Sequence, residues 1–252
     1  MSDKLKSIVF AIGMGLICGV LLTTAATALQ DIQQKNMLND RRKNILLAVD
    51  LVSREKTYTP DEIARLYKEN ISKMAVSPDG TIVSPDVAET DKNLLPVYLF
   101  TKDENIQAYI IPIESQGLWG KIYAYMALES DGSTIAGFTV YKHSETPGLG
   151  GEIDTQWFQE KFKGKKIIDQ TGNFVSVAIA KGEAEKKVPD QKLPHYVDGI
   201  SGATLTGKYL TQGLQKTLSE YEPVSVSFRK NRLKCRMQEE QPWCETDETD
   251  QN

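Results

Sequence analysis

Thr204 and Thr206 stand in the run Asp198-Gly199-Ile200-Ser201-Gly202-Ala203-Thr204-Leu205-Thr206, which contains neither histidine nor cysteine. A threonine hydroxyl needs an adjacent base or a metal before it attacks on its own account. These hydroxyls are therefore candidates for a different task, as acceptors of a group that another enzyme attaches. If a helix begins near Thr204 or Thr206, its first unpaired N–H groups and the positive end of its dipole face the threonine, a favourable place for a phosphate. Gly199 and Gly202 permit tight or left-handed backbone and Ala203 adds little bulk, so a large group has room to approach. The plainer alternative is that Ser201 or Thr204 caps the helix, with Gly202 in the turn before it. The residues alone leave both readings open.

A second polar segment, His143-Ser144-Glu145-Thr146-Pro147-Gly148-Leu149-Gly150-Gly151, contains a turn at Pro147-Gly148. The glycines that follow lack the strand-to-helix setting of a dinucleotide fingerprint, so no NADH site is expected on this chain. The only histidines are His143 and His195. Neither belongs to a recognisable nucleophile–base arrangement, so no catalytic residue is assigned, and two histidines give no basis for a His-based metal site. Cys18 lies in an apolar run, while Cys235 and Cys244 lie near the C-terminal end. The latter pair is suited to a disulfide in an oxidising compartment, and its spacing is not a metal pattern.

The elements that must position these residues begin with that apolar run. No charged residue occurs from Ser7 to Gln30, and Ile8 to Leu29 is long enough as a helix to cross a bilayer core of about 30 Å. Two readings stand: a retained anchor, favoured by the length, and a cleaved signal peptide, favoured by Lys4, Lys6 and the Ala26-Thr27-Ala28 site. Either places the rest of the chain outside the cytoplasm. The flanking charges point the other way, since Lys35, Arg41, Arg42 and Lys43 follow the run. Residues 31–58 then read as a helical stalk. Thr59-Pro60-Asp61-Glu62 reads as a helix start, with Thr59 as cap and Glu62 as its reciprocal acid, and Ile63, Leu66, Tyr67 and Met74 as the inner face.

From Asn105 the period shortens. NIQAYIIPI and KIYAYMALE read as strands, and Asp131-Gly132 joins the second to STIAGFTVYKH as a hairpin. Pro112 places its strand at a sheet edge or a bend. DTQWFQEKF returns to helix with Trp157, Phe158 and Phe162 inward, and NFVSVAIAKG reads as a further strand. Leu210, Leu214, Leu218 and Tyr221 form one face of a helix. Clustered strands with helices at the flanks indicate an α+β fold. The main domain spans 59–228, after a tail and membrane helix over 1–30, and a charged, solvated tail occupies 229–252. The net charge of −4, with 25% charged and 40% hydrophobic residues in 252, excludes a disordered chain and a general nucleic-acid binder.

Several of these stretches resemble one known family. Asp198–Thr206 resembles the D-x-x-S/T-G-A-T-x-T flavinylation motif, in which a dedicated flavin transferase attaches FMN through its phosphate to the threonine of S/T-G-A-T. His143–Ile153 resembles the H-x-E-T-P-G-L-G element of extracytoplasmic FMN-binding domains, whose loop lies against the isoalloxazine. YIIPIESQGLWG resembles the I-P-I-x-G-x-G-L-W-G signature of the C subunits of the Na⁺-translocating NADH:quinone oxidoreductases, with Ser115 where the first glycine is usual. RRKNILLAV, LPVYLF and AIAKG are also similar to those C subunits. The resemblance runs from about Ile8 to Tyr221 and leaves out the tail after Phe228.

This resemblance implies covalent FMN on Thr204, with Asp198, Ser201, Gly202, Ala203 and Thr206 around the attachment point. It places Glu145, Thr146, Gly148, Leu149 and Gly150 in the ring loop, Leu118 and Trp119 at the flavin border, and Lys181 near the reduced ring or the phosphate. It implies a single-pass protein of the bacterial inner membrane, its main domain on the periplasmic side, carrying electrons between redox centres of a six-subunit Na⁺ pump. Its partners would be the other subunits, the flavin transferase and membrane lipid, with no nucleic acid. The G subunits of the ion-translocating ferredoxin:NAD oxidoreductases share both flavin elements, but QGLWG and RRKNILLAV favour the C subunits of the Na⁺ pump. A non-redox, membrane-anchored binding or assembly protein is the reading from a different class.

Overall fold

The computed structural model describes residues 2–83, 94–103 and 105–230. The chain separates into two compact units, divided between Arg41 and Arg42. Helix α1 runs unbroken from Asp3 to Ala48, over both the expected anchor and much of the expected stalk. Its N-terminal part is long and apolar enough to cross a membrane, and Phe10, Leu16 and Leu22 are all exposed. A helix apolar on every side has no single face to bury in a small soluble core, which makes this part a candidate membrane span.

In the second unit, the last turn of α1 buries Ile45, Leu46 and Ala48. Helix α2 (Pro60–Asn70) has the capping box that its sequence predicts: Thr59 Oγ1 accepts from the Glu62 N–H at 3.3 Å, and Glu62 Oε2 accepts from the Thr59 N–H at 2.8 Å. The helix ends earlier than expected. Ile71 is already extended, and Met74, expected on the helix face, lies in strand β1 (Ile71–Val76).

Strands β2 (Ile82–Val83), β3 (Leu95–Lys102), β4 (Asn105–Gln116), β5 (Lys121–Glu129) and β6 (Ile135–Lys142) join β1 in one antiparallel sheet, ordered β2-β1-β3-β4-β5-β6. Alternation explains why β4 is apolar along most of its length. Tyr109, Ile111 and Ile113 join one core and Ala108 and Ile110 the other, because the strand is covered on both faces. Pro112, expected at a sheet edge or a bend, lies in a strand that is interior to the sheet order but locally at an edge. Its tolerance is local: β3 pairs with β4 only as far as Ile110, so β5 alone flanks the strand at Pro112. The β5–β6 hairpin turns at Asp131-Gly132 as predicted, with Gly132 at φ +65°.

One face of the sheet carries the end of α1, α2 and the residues between them; the other carries the C-terminal helices α5 (Thr204–Glu220) and α6 (Glu222–Arg229). Leu210, Leu214, Leu218 and Tyr221 are all buried there, as their spacing requires. Each such side chain contributes about 1.5–3 kcal/mol when fully buried. The Phe228 ring stacks on Tyr109 with centroids 4.3 Å apart, and the Tyr109 hydroxyl meets Ser225 Oγ at 2.7 Å.

Helix α3 (Gln156–Glu160) and the turn after it bury Phe158 and Phe162, but Trp157 is 46% exposed. Its position, about 100° around the helix from Phe158, turns it away from the core, and the Lys161 ammonium lies 5.4 Å from its ring centroid. The expected strand in NFVSVAIAKG shrinks to β7 (Ala178–Ile179), paired in parallel with β8 (Tyr196–Val197). Ser176, at φ +65°, breaks extended geometry just before it. A four-residue helix α4 (Ala184–Lys187) lies between those strands. The expected tail and the Cys235–Cys244 pair fall almost wholly within 231–252, outside the described residues.

Candidate functional site

Three loops converge on a cleft of about 330 Å³. The first is the turn between β4 and β5, closed by the Gly117 N–H donating to Gly120 O at 2.7 Å. It presents Leu118 and Trp119, the latter 70% exposed. The second follows β6. There Thr146 O accepts from the N–H groups of Leu149 and Gly151, at 3.2 and 2.9 Å, around Gly148 at φ +73°. This turn directs Thr146, Leu149 and Gly150 into the cleft lining, while Gly148 itself is not in it.

The third loop enters α5. Gly199 donates to Gly182 O at 2.8 Å and passes so close to Ala180 that a Cβ would stand 2.1 Å from that residue's carbonyl oxygen. Any larger residue would push the two segments apart. Gly202 adopts φ +75°, the Ala203 N–H donates to Ile200 O at 3.1 Å, and the helix begins at Thr204. The N-cap is Ala203, with no side-chain capping bond. Neither Ser201 nor Thr204 is the cap, so the plainer reading of the motif does not hold. The N–H groups of the first helical turn have no intrahelical partner, and Thr204 occupies the first position.

The two threonines differ sharply. Thr204 is exposed and lines the cleft. Thr206 is buried, and its Oγ1 donates to Glu145 Oε2 at 2.5 Å. The other oxygen of Glu145 accepts from the Trp119 N–H at 3.0 Å. The Glu145 N–H donates to His143 Nδ1 at 3.1 Å, and His143 Nε2 lies 3.1 Å from Asp154 Oδ2. These bonds tie His143 and Glu145 into the turn.

Thr204 also lines a second, narrower cleft of about 210 Å³ on its other flank. Lys181 is found there, together with Lys208, and not beside Leu118, Trp119 and Leu149. Asp198 and Ser201 line neither cleft. Asp198 is engaged elsewhere: Oδ2 accepts from Lys161 at 2.7 Å and Oδ1 from the Ala184 N–H at 2.7 Å. The lysine first, and then the backbone N–H, hold its carboxyl below the usual carboxylate range. Ala203 lines both clefts, and Gly202 only the larger one.

Residue-level reading missed Leu205, which is 48% exposed at the cleft rim, and Gly117, whose Cβ would collide with Glu145 Oε1 at 2.6 Å. Gly117 was visible as the first glycine of the QGLWG stretch, whereas Leu205 carried no signal beyond its place in the motif. No group of three or more potential metal ligands occurs among the described residues.

The arrangement combines apolar walls, a free hydroxyl and an uncapped helix N-terminus. It suits a flat aromatic group that carries a phosphate.

Comparison with known proteins agrees with this chemistry. Residues 117–219 match the FMN-binding domain family. The C subunit of the Na⁺-translocating NADH-quinone reductase from Vibrio vulnificus strain YJ016 is 32% identical over 235 residues, covering 84% of this chain and 88% of the relative. The C subunit from Pseudomonas aeruginosa is 31% identical over 231 residues, covering 81% and 87%. The crystal structure of the C subunit from Parabacteroides distasonis superposes with a TM-score of 0.67 at 33% identity, covering 79% of this chain and 98% of that one.

Proposed function

The chain belongs to the family of C subunits of the Na⁺-translocating NADH-quinone reductases, and on that premise we propose that it carries FMN esterified through its phosphate to Thr204. In this reading it is an electron-relay component of the Na⁺-pumping complex. It passes electrons between redox centres of neighbouring subunits and has no NADH site of its own. The observation that carries the assignment is the contrast at the start of α5. Thr204 is exposed at the first position of an uncapped helix, while the Thr206 hydroxyl is buried against a carboxylate.

The residues fit the group. An ester phosphate on Thr204 would meet the free N–H groups and positive dipole end of α5. Leu118, Trp119 and Leu149 offer apolar surface to the isoalloxazine. Lys181 and Lys208, on the other flank of Thr204, offer positive charge to the ester phosphate rather than to a ring seated beside Leu149. When bound, FMN supplies the electron-transfer chemistry; the protein fixes its position and tunes its potential.

The first part of α1 serves in this proposal as a retained single-pass anchor in the bacterial inner membrane, with the main domain on the periplasmic side. A flavin transferase is then required for maturation, and the other subunits of the complex are the working partners. Covalent attachment suits that setting, because a domain outside the cytoplasm has no ready supply of a lost cofactor.

Mass spectrometry of the Thr204 peptide from native membranes tests the proposal. The peptide should carry the mass of FMN, and the Thr204→Ala chain should lose it while keeping its fold. Unmodified Thr204 in native material, or flavin retained covalently in Thr204→Ala, would reject the assignment.

A further inference from the structure

We propose that the Glu145 carboxylate is a positioning group that latches the acceptor helix to the two loops of the cleft that it helps to line. The proposal rests on Thr204 being the acceptor. Glu145 is 5% exposed and Thr206 is 2% exposed. Both carboxylate oxygens are taken, one by the Thr206 hydroxyl and one by the Trp119 N–H. The surrounding backbone is shaped to this carboxylate. A Cβ on Gly117 would lie 2.6 Å from Oε1, and one on Gly150 would lie 2.7 Å from Oε2 and 2.5 Å from Thr206 Oγ1. Two loops therefore leave out a side chain where Glu145 and Thr206 meet, and a Cβ at either glycine would force the pair apart.

The latch has a rotational consequence. Thr206 follows Thr204 by two residues, or about 200° around the helix axis. Holding Thr206 inward on Glu145 turns Thr204 outward to the cleft. The same carboxylate fixes the backbone of Trp119, and its own N–H is held by His143. One buried side chain thus sets the acceptor and two walls of the cleft in a common frame. Attachment depends on such alignment, because small misplacements of reacting groups slow a transfer steeply.

Four single variants of the full-length chain separate positioning from charge: Glu145→Gln, Glu145→Ala, Thr206→Ser and Thr206→Val. A glutamine still accepts from the Trp119 N–H and donates its amide to Thr206 Oγ1, so it keeps the latch and removes the charge. With the flavin transferase present, Glu145→Gln and Thr206→Ser should load FMN on Thr204 nearly as well as the parent. Glu145→Ala and Thr206→Val should load it about tenfold more slowly or worse. In flavin-free protein, Trp119 amide hydrogen exchange should speed up in Glu145→Ala and Thr206→Val and stay slow in the other two.

Normal loading in Thr206→Val would overturn the latch. So would failure of Glu145→Gln with its Trp119 amide still protected, which would assign Glu145 an electrostatic or direct role. If the parent itself takes no flavin at Thr204, the failure belongs to the acceptor assignment, and the exchange pattern in flavin-free protein still decides the latch.

Discussion

Gly213 of α5 lies so close to Ser115 of β4 that a Cβ at position 213 would stand 2.3 Å from both the serine's Cβ and its Oγ. Ser115 is 3% exposed, and its hydroxyl donates to Tyr209 O at 2.8 Å. The chain accommodates the Ser115 side chain by omitting the one opposite. On an open helix, Gly213→Ala would gain about 1 kcal/mol. Here the overlap decides the sign, and the variant should lose about 1–3 kcal/mol. Thermal unfolding should show the loss, and adding Ser115→Gly should recover much of it. A neutral Gly213→Ala would contradict this packing.

Gly202 sets the entry to α5. At φ +75° an alanine carries a left-handed cost of about 1–2 kcal/mol, and its Cβ would press on Leu149 Cδ2 at 2.7 Å. Gly202→Ala should therefore lower both the melting temperature and the fraction of Thr204 peptide bearing FMN. Full loading in that variant would show that the Leu149 wall is not needed for attachment.

Asp131 gives the fold an acid limit. Burial opposes its ionisation, yet the hydroxyls and N–H groups of Thr134 and Ser133 outweigh it, taking the carboxyl from 3.8 to about 2. A folded-state value below the unfolded one means that the charged form stabilises the fold above the unfolded value. That contribution is lost as pH falls towards about 2. Asp131→Asn should be less stable than the parent at neutral pH, with the gap closing across the acid window. Denaturant unfolding at several pH values measures it; a gap independent of pH would reject the linkage.

Local patterns were legible where a few neighbouring residues decide the outcome. The Thr59–Glu62 box, the Asp131-Gly132 turn and the apolar face from Leu210 to Tyr221 needed only their own spacing. The misses share a different cause. Met74 depended on which strand lies alongside, and Trp157 on a helix too short to follow an averaged pattern. Ser176 adopts a backbone angle that its side chain does not announce. At the site, the motifs identified the loops, but the pairing of Glu145 with Thr206 joins residues 61 apart. No local pattern encodes it. The resemblance groups Asp198 with Thr204 through the motif, whereas its contacts with Lys161 and Ala184 depend on how distant segments return.

Helix α6 supplies Phe228 to the stack on Tyr109, and Tyr109 meets Ser225 across 116 positions of sequence. During synthesis, the middle of the sheet emerges long before the piece that closes it. The ribosome must deliver almost the whole described chain before this clasp can shut.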